Sequence, residues 1–357
     1  MTGYRIIVGS YTDRITSLFF DPAGPTLKVT SEIKVGNRPS WLAAHPDDSS
    51  LVFACLEQDD GVAIALRFDE EGTATIVGQI PSGGKDPASL LAIADTLLVG
   101  NYSSGTILTA PQSTSPPYFP AYPPSALLQL NGTGPDLNRQ MSSHPHHIVS
   151  VPGRAELLIP DLGADRTWRV THDQLGQLTV QGEVSYPPGS GPRHVVFHED
   201  ILYTVNELTN TVTAHRLPPL PAEPTLLSTT STFQHLPEEF LGDRFAAELL
   251  FAPTLTGDNQ DSPSILYASN RNDPAGDTLA ILSLQRPDVP ELIGEVQTGL
   301  KHLRGAALGG ENGRWVVLGG VLGGGVKLYE RIDGGRSLRE IATLPQVEAP
   351  TAFLWLR

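Results

Sequence analysis

The chain has 357 residues, of which 39% are hydrophobic, and carries a formal net charge of −15. The hydrophobic share is sufficient for a folded core, whereas the acidic excess disfavours nucleic acid and anionic membrane surfaces as partners. A single cysteine, Cys55, excludes an internal disulfide and a cysteine-rich zinc site.

The chain starts with a predicted strand at 4–12, Tyr-Arg-Ile-Ile-Val-Gly-Ser-Tyr-Thr. The sequence before and within this strand lacks the apolar stretch of a signal peptide, and no later run is long enough to span a membrane. We therefore expect a cytoplasmic protein with no membrane partner. Beyond this strand, short apolar runs separated by Gly, Pro, Asn and Asp predominate, which is typical of strands and turns rather than amphipathic helices.

The main organising feature is a repeat of two strands. Each copy opens on a segment of small residues or proline, followed by a first strand, a turn and a second strand. Successive copies start roughly 47 to 58 residues apart, at the upper end of propeller periods. The copies begin at Arg38, Asp86, His144, Gly191, Phe245 and His302.

A seventh copy begins at Ala349 and reaches the C-terminus without a second strand. Its missing partner is the strand at 4–12, so one blade combines strands from both termini and leaves no free sheet edge. The sequence therefore predicts an all-β fold: a seven-bladed β-propeller that forms one domain over residues 1–357. The alternative is a pair of β-sandwiches or unrelated hairpins, which the matching termini disfavour.

Three longer segments interrupt the repeats, at 111–135, 217–243 and 254–264. They are predicted to be loops, and the first, which is rich in Pro, Ser and Tyr, is expected to cover one face. Loops of this kind either shape a pocket or serve as solvated connectors.

In a propeller, residues at the same phase of different repeats converge on one end of the channel. Two sets of unusual polar residues occupy such phases and are most frequent in the middle repeats, which predicts a site toward one side of the channel. The set near the first strands is His144, His146, Arg193, His194 and Arg304. The set at the ends of the second strands is Asn101, Asp161, Asn206, Glu207, Asn270 and Arg271.

These residue types suit proton transfer and anion binding. A histidine beside arginines stays neutral and can act as a general base. Guanidinium groups can clamp a carboxylate or stabilise an oxyanion, and a glutamate can orient an arginine or position water. Several of these residues also have purely structural interpretations. The Asn and Asp side chains could cap turns, Arg304 could pair with a carboxylate, and His147 and His194 could serve packing alone.

The sequence gives little support for a metal site, a serine nucleophile or a phosphate-binding loop. The run His-Pro-His-His at 144–147 could bind a metal, but the arginines around it would repel cations, so no metal is expected. No Gly-x-Ser-x-Gly elbow is present, and Leu322-Gly-Gly-Gly-Val lacks the Lys-Ser/Thr of a phosphate loop.

The ordered motifs resemble the lactonase family of seven-bladed propellers along essentially the whole chain. The motifs are Val8-Gly-Ser-Tyr-Thr, Gly100-Asn-Tyr-Ser-Ser-Gly, His144-Pro-His, Pro160-Asp-Leu-Gly-Ala-Asp, Gly189-Ser-Gly-Pro-Arg-His-Val-Val-Phe-His, Val205-Asn-Glu-Leu and Tyr267-Ala-Ser-Asn-Arg. That family includes 6-phosphogluconolactonases and the fungal 3-carboxy-cis,cis-muconate lactonizing enzyme. By motif position, the resemblance implies catalytic roles for His146, Arg193, Glu207 and Arg271. The chain departs from the pattern at His302-Leu-Arg-Gly and in its long proline-rich segment.

The resemblance implies a lactone hydrolase that needs no cofactor and acts on a small anionic or sugar-derived lactone. The remaining polar residues, expected to bind substrate, are His144, Asn101, Asp161, His194, Asn206, Asn270 and Arg304. Two alternatives stay open: a muconate-cyclising isomerase using the same side chains, and a propeller that serves as a non-catalytic interaction scaffold. The sequence carries no signal for the oligomeric state.

Overall fold

A computed structural model describes residues 3–121, 125–173, 176–234, 244–255 and 262–356. It contains seven four-stranded antiparallel sheets, which confirms the predicted all-β propeller. The first strands in chain order are β1 (Tyr4–Ser10), β2 (Arg14–Asp21), β3 (Thr26–Lys34), β4 (Pro39–His45), β5 (Asp48–Leu56), β6 (Val62–Phe68), β7 (Ala74–Pro81), β8 (Pro87–Ile93), β9 (Thr96–Asn101), β10 (Thr106–Pro111), β11 (Ala126–Gln129), β12 (Val149–Ser150), β13 (Leu157–Asp161) and β14 (Arg166–His172).

The later strands complete the remaining blades, and two short 3₁₀ turns, Glu311–Gly313 and Asp333–Gly335, lie in the last third of the chain. The strands are β15 (Leu178–Ser185), β16 (Pro192–His198), β17 (Ile201–Asn206), β18 (Thr211–Arg216), β19 (Thr225–Ser231), β20 (Phe245–Ala252), β21 (Ile265–Arg271), β22 (Thr278–Ser283), β23 (Glu291–Gln297), β24 (Lys301–Gly309), β25 (Trp315–Gly323), β26 (Gly325–Ile332), β27 (Ser337–Leu344) and β28 (Pro350–Leu356).

Six blades use four strands in succession, and we number them 1 to 6 from β4–β7 to β24–β27. Blade 7 has the order β28-β1-β2-β3. Within it, Val8 of β1 lies opposite Phe353 of β28, so the strand at the start of the chain completes the last repeat as predicted. Through this pairing the last blade, like the other six, has four hydrogen-bonded strands.

The core lies between neighbouring blades rather than within any one of them. The central strands β17 and β21 are buried at every position because a blade covers each of their faces. At the junction of blades 6 and 7, Phe20 packs edge-on against Trp315 with ring centroids 4.9 Å apart. Outer strands such as β3 alternate exposed positions with buried or partly buried ones, as expected where one face meets solvent.

In most blades a β-bulge interrupts the inner strand, which is the first strand of the repeat, near the end of the channel where the polar residues converge. In β4, β8, β16 and β28 the register breaks immediately after the proline that opens the strand, which leaves Ser40, Ala88, Arg193 and Thr351 unpaired. In β24 the register breaks on both sides of Leu303, which leaves His302 and Arg304 unpaired. A bulge of this kind re-aims a side chain, so the recurring Pro-x motif marks the bulge in four of the inner strands.

The first part of the proline-rich segment, residues 111–121, does not reach this end of the channel. Pro111 pairs with Thr96, whereas Thr106, at the other end of β10, pairs with Asn101. Residues 111–121 therefore leave the blade at its far end, where the Arg67 guanidinium lies 5.5 Å from the ring of Tyr118. These residues cover the face opposite the converging polar residues. The loop prediction is wrong for Ala126–Gln129, which form β11, and Gln129 lies opposite Thr106, so residues 130–135 follow the end of the blade where Asn101 lies.

The segment predicted as a loop at 217–243 contains β19, so that interpretation is wrong for Thr225–Ser231. Its residues 235–243 lie outside the described part of the chain, as do 256–261 of the segment at 254–264. Within the described residues, no helix has the length and apolar character needed to cross a membrane.

Candidate active site

A cavity of about 160 Å³ lies at one end of the channel, where the blades converge. Most of its side chains come from β-bulges and from residues at or just after the ends of second strands, and two, Arg139 and His146, come from the connection between β11 and β12. The lining residues are Tyr11, Glu57, Ala88, Tyr102, Arg139, His146, Glu207, Arg271 and Arg304. Residues up to 293 positions apart in the chain, Tyr11 and Arg304, therefore share one small space.

Glu207 is the centre of the charged network. Its carboxylate is only 1% exposed, and Oε2 lies 2.8 Å from Nε of Arg193 and 2.8 Å from Nη2 of Arg271. Oε1 accepts a hydrogen bond from Arg139. Burial alone would raise the pKa of Glu207, but the charges of these three arginines outweigh it and hold the pKa at about 2. Glu207 is therefore a permanent anion at neutral pH.

His146 lies beside this network and lines the cavity. Its ring stands edge-on to Tyr102 at 5.6 Å, and its Nδ1 is buried without a hydrogen-bond partner among the described residues. Burial, followed by the charges of Arg193 and its neighbours, lowers the pKa of His146 well below 6.5. The imidazole is therefore neutral at pH 7 and can accept a proton.

Arg193 lies behind the cavity wall rather than in it. The residue is 1% exposed, and its Nη1 donates to the Ala247 carbonyl at 2.6 Å and to Nε2 of His194 at 3.0 Å. Because His194 accepts through Nε2, its proton resides on Nδ1, which lies 2.5 Å from Oε1 of Glu248. The buried chain Glu248–His194–Arg193 thus fixes the orientation of a guanidinium that contacts Glu207.

Arg304 differs from the other arginines of the cavity. Its guanidinium lies 5.1 Å from the centre of the Tyr11 ring. Among the described residues no carboxylate lies within ion-pair distance of it, so the predicted alternative of a blade carboxylate partner is not realised. Arg304 therefore presents to the cavity a guanidinium that is not held in a direct ion pair. Against the effect of burial, Glu57 and Glu207 are near enough to help raise its pKa.

Four of the predicted substrate-binding residues are used in blade turns. Nδ2 of Asn101 donates to the Ser82 carbonyl at 2.8 Å, and Asn270 accepts from the Thr232 hydroxyl at 2.6 Å. Asn206 donates to the hydroxyl of Thr211 at 3.1 Å, and Asp161 receives the backbone N–H of His144 at 2.6 Å. None of Asn101, Asp161, Asn206 and Asn270 lines the cavity. After Asn101, Asn206 and Asn270, the next residue along the chain lines it instead.

His144 and His194, the other two histidines predicted to bind substrate, also stand behind the lining residues. The ring of His144 stacks on Tyr102 at 4.5 Å, and its Nδ1 contacts the Tyr102 carbonyl at 2.9 Å. His194 lies in the buried chain next to Arg193. The structure thus brings His146, Glu207, Arg271 and Arg304 to the cavity and places Arg193, His144 and His194 one layer behind it.

Sequence reasoning missed Tyr11, Glu57, Tyr102 and Arg139. The first three occupy the same position in their repeats as Glu207, one residue beyond the end of a second strand. A comparison of equivalent positions across the repeats could therefore have found them. Arg139 comes from the connection between β11 and β12, which no repeat predicts. Its guanidinium lies 4.7 Å from the ring centre of Phe245 and reaches Glu207 from there.

The cavity is cationic although the chain is acidic. Arg139, Arg271 and Arg304 line it against Glu57 and Glu207, so three positive and two negative groups leave a formal charge of +1. Among the described residues, no group of three or more His, Cys, Asp or Glu side chains is arranged to hold a metal ion. The arrangement suits an anionic ligand and acid–base chemistry.

Comparison with known proteins gives consistent matches. The family model "Lactonase, 7-bladed beta-propeller" matches residues 5–355. A protein of Arthroderma benhamiae named "Probable 6-phosphogluconolactonase" is 26% identical, with 98% of this chain and 88% of the relative covered. The 6-phosphogluconolactonase of Serratia proteamaculans is 24% identical, with 91% and 90% covered. The periplasmic gluconolactonase of Pseudomonas aeruginosa superposes with a TM-score of 0.84 at 22% identity, over 100% of this chain and 99% of that chain, which shows a shared fold.

Proposed function

We propose that this chain, which belongs to the lactonase family of seven-bladed β-propellers, hydrolyses a small anionic sugar lactone of the 6-phosphogluconolactone type. The observation that carries the proposal is the meeting of a neutral histidine, His146, with several arginines in one small cavity. The names of the relatives from Arthroderma and Serratia support the same substrate class.

In the proposed reaction, His146 accepts a proton from a water molecule as the water oxygen bonds to the lactone carbonyl carbon. The carbonyl oxygen becomes an oxyanion, which the guanidinium groups of Arg271 and Arg139 stabilise. When the bond to the ring oxygen breaks, protonated His146 returns its proton to that oxygen, which leaves as a hydroxyl. Proton transfer and charge stabilisation account for every step, so the reaction requires no cofactor.

Glu207 is proposed to position the arginines rather than to accept the proton. A carboxylate with a pKa of about 2 is a poor base at neutral pH. Its contacts with Arg139, Arg193 and Arg271 keep three like charges close together, which would otherwise repel one another. Of the two roles that the sequence predicts for this glutamate, orienting an arginine or positioning water, the proposal adopts the first.

Arg304 is proposed to bind the anionic group of the substrate, since its charge has no carboxylate partner among the residues described. An anion bound there would also act on His146. The charges of Arg193 and Arg304 contribute to the low pKa of that imidazole, and a phosphate or carboxylate beside them would oppose this effect. Substrate binding would therefore make His146 a stronger base.

The test is the measurement of proton release or uptake at pH 7.5 with a panel of phosphorylated and unphosphorylated sugar lactones, together with 3-carboxymuconate. Lactone hydrolysis releases a proton, whereas cyclisation of the muconate takes one up. We expect hydrolysis of the lactones, with the highest kcat/KM for those carrying an anionic group. The control is the Arg304→Met variant, in which the preference for the anionic lactones should shrink. Turnover of 3-carboxymuconate with no lactone hydrolysis would overturn the proposal in favour of cyclisation.

A further inference from the structure

The cavity holds a second carboxylate, Glu57, which the proposed reaction does not use. Its Oε1 accepts a hydrogen bond of 3.0 Å from the hydroxyl of Tyr11. Its Oε2 is buried and has no hydrogen-bond partner among the described residues. A buried carboxylate oxygen without a partner is costly, so it indicates a position that a ligand or bound water completes.

The placement of Glu57 is fixed by the fold. It follows β5, and its backbone N–H donates to the Arg38 carbonyl at 3.0 Å. Glu57 belongs to blade 1 and Glu207 to blade 4, and two blades of a seven-membered ring cannot lie further apart than three steps. The two carboxylates therefore face the cavity from opposite sides, one with three arginines and the other with an open oxygen.

We propose that Oε2 of Glu57 accepts a hydrogen bond from a hydroxyl of the substrate and selects polyhydroxylated lactones over polyanions that lack hydroxyls. This inference rests on the proposed function and names its substrate class more closely. Only a hydrogen-bond donor can satisfy the oxygen. A carboxylate placed there would be repelled, and a cation would be opposed by the arginines of the same cavity.

A hydroxyl-binding Glu57 would also discriminate between lactone hydrolysis and muconate cyclisation, the two activities that could use the same His and Arg residues. A sugar lactone presents hydroxyl donors in addition to any anionic group. A carboxymuconate presents only carboxylates at neutral pH, so it offers nothing to Glu57 and is repelled by its charge. A site that hydrogen-bonds a substrate hydroxyl discriminates strongly against an analogue lacking one, because the buried acceptor is then left unpaired.

The test is calorimetric binding of two probes at pH 7.5, 6-phosphogluconate and propane-1,2,3-tricarboxylate, to the full-length wild-type chain and its variants. The first probe carries hydroxyls and anionic groups, whereas the second carries only carboxylates. In Glu57→Gln and Glu57→Ala we expect affinity for 6-phosphogluconate to fall about tenfold to a hundredfold. Affinity for the tricarboxylate should be unchanged or rise, because a repelling charge is gone.

Glu291→Gln, at an exposed position of β23, is the matched control and should change neither affinity. Glu57→Gln is nearly isosteric and guards against misfolding in the alanine variant, and the thermal midpoint is recorded for each. Equal changes for both probes, or no binding of 6-phosphogluconate to the wild-type chain, would overturn the inference. Opposite changes without any lactone hydrolysis would keep the inference and remove the proposed function.

Discussion

The two sides of the cavity are built differently. On the side of blades 3 to 5, Glu207 is saturated by Arg139, Arg193 and Arg271, and the neutral His146 lies beside them. On the side of blades 6, 7 and 1, Arg304 and Glu57 form no direct ion pair within the described part of the chain, and Tyr11 lies between them. The first side can hold its geometry without a ligand, whereas the second is completed by one. We call the side with Glu207 and its arginines the paired side, and the side with Arg304 and Glu57 the open side. We infer that the free energy of unfolding depends mainly on the paired side, and that substrate recognition depends mainly on the open side.

The largest expected effect comes from breaking the paired side. Glu207→Gln leaves three buried or half-buried guanidinium groups without their counter-charge, which should lower the free energy of unfolding by about 3–5 kcal/mol. Urea unfolding followed by tryptophan fluorescence measures it. Glu183→Gln, at a half-exposed pair with Arg166, is the control and should cost under about 1 kcal/mol. Equal losses in the two variants would contradict the comparison.

Acid should weaken the same side. The pKa of Glu207 is about 2 in the folded chain and 4.5 as the ordinary value, so its ionisation stabilises the fold fully above pH 4.5. This contribution, roughly 3 kcal/mol, is lost as the pH falls from 4.5 toward 2. The difference in unfolding free energy between the wild-type chain and Glu207→Gln should shrink over this window. A difference that stays constant with pH would show that the carboxylate is not held ionised by the arginines.

Breaking the open side should affect binding instead. Arg304→Met removes a charge that has no carboxylate partner in the described chain, so affinity for phosphate-bearing ligands should fall about tenfold to a hundredfold. The unfolding free energy should change far less than in Arg271→Met, which breaks a contact with Glu207. Calorimetry with 6-phosphogluconate and urea unfolding measure the two quantities. A larger stability loss in Arg304→Met than in Arg271→Met would reverse the assignment of the two sides.

The smallest effect is expected at Tyr11. Tyr11→Phe removes the hydroxyl that donates to Oε1 of Glu57 and leaves the ring beside Arg304. The carboxylate would then be less firmly oriented, and affinity for 6-phosphogluconate should fall by a factor of about three to ten. Affinity for propane-1,2,3-tricarboxylate should not change, and a matching decrease for that probe would show that Tyr11 acts through the ring rather than through Glu57.

The propeller could be predicted from the sequence because its repeat sets both the strand order and the phase. Proline at the start of an inner strand marked the bulge that aims Arg193 and the residues equivalent to it. The closure of blade 7 could be predicted because the strand at the N-terminus and the unfinished seventh repeat complement each other.

The site was predicted less completely. The position of a residue within its repeat predicts the end of the channel at which it lies, but not whether its side chain lines the cavity or is buried behind it. Asn206 and Glu207 are neighbours, yet one bonds a turn hydroxyl and the other faces the cavity, since consecutive strand residues point to opposite sides. Arg193 shares its phase with Arg304, but only the contacts of His194 and Glu248 show that it lies behind the wall. Arg139 belongs to no repeat, and only the folded loop brings it to Glu207.

The most direct test of the proposed chemistry is the rate of proton release from 6-phosphogluconolactone by the wild-type chain and by His146→Asn. The asparagine keeps a polar side chain but cannot accept the proton, so we expect kcat to fall about a hundredfold or more while the thermal midpoint stays within a few degrees. A variant that folds normally and keeps the wild-type kcat would contradict the assignment of His146 as the base, and with it the proposed mechanism.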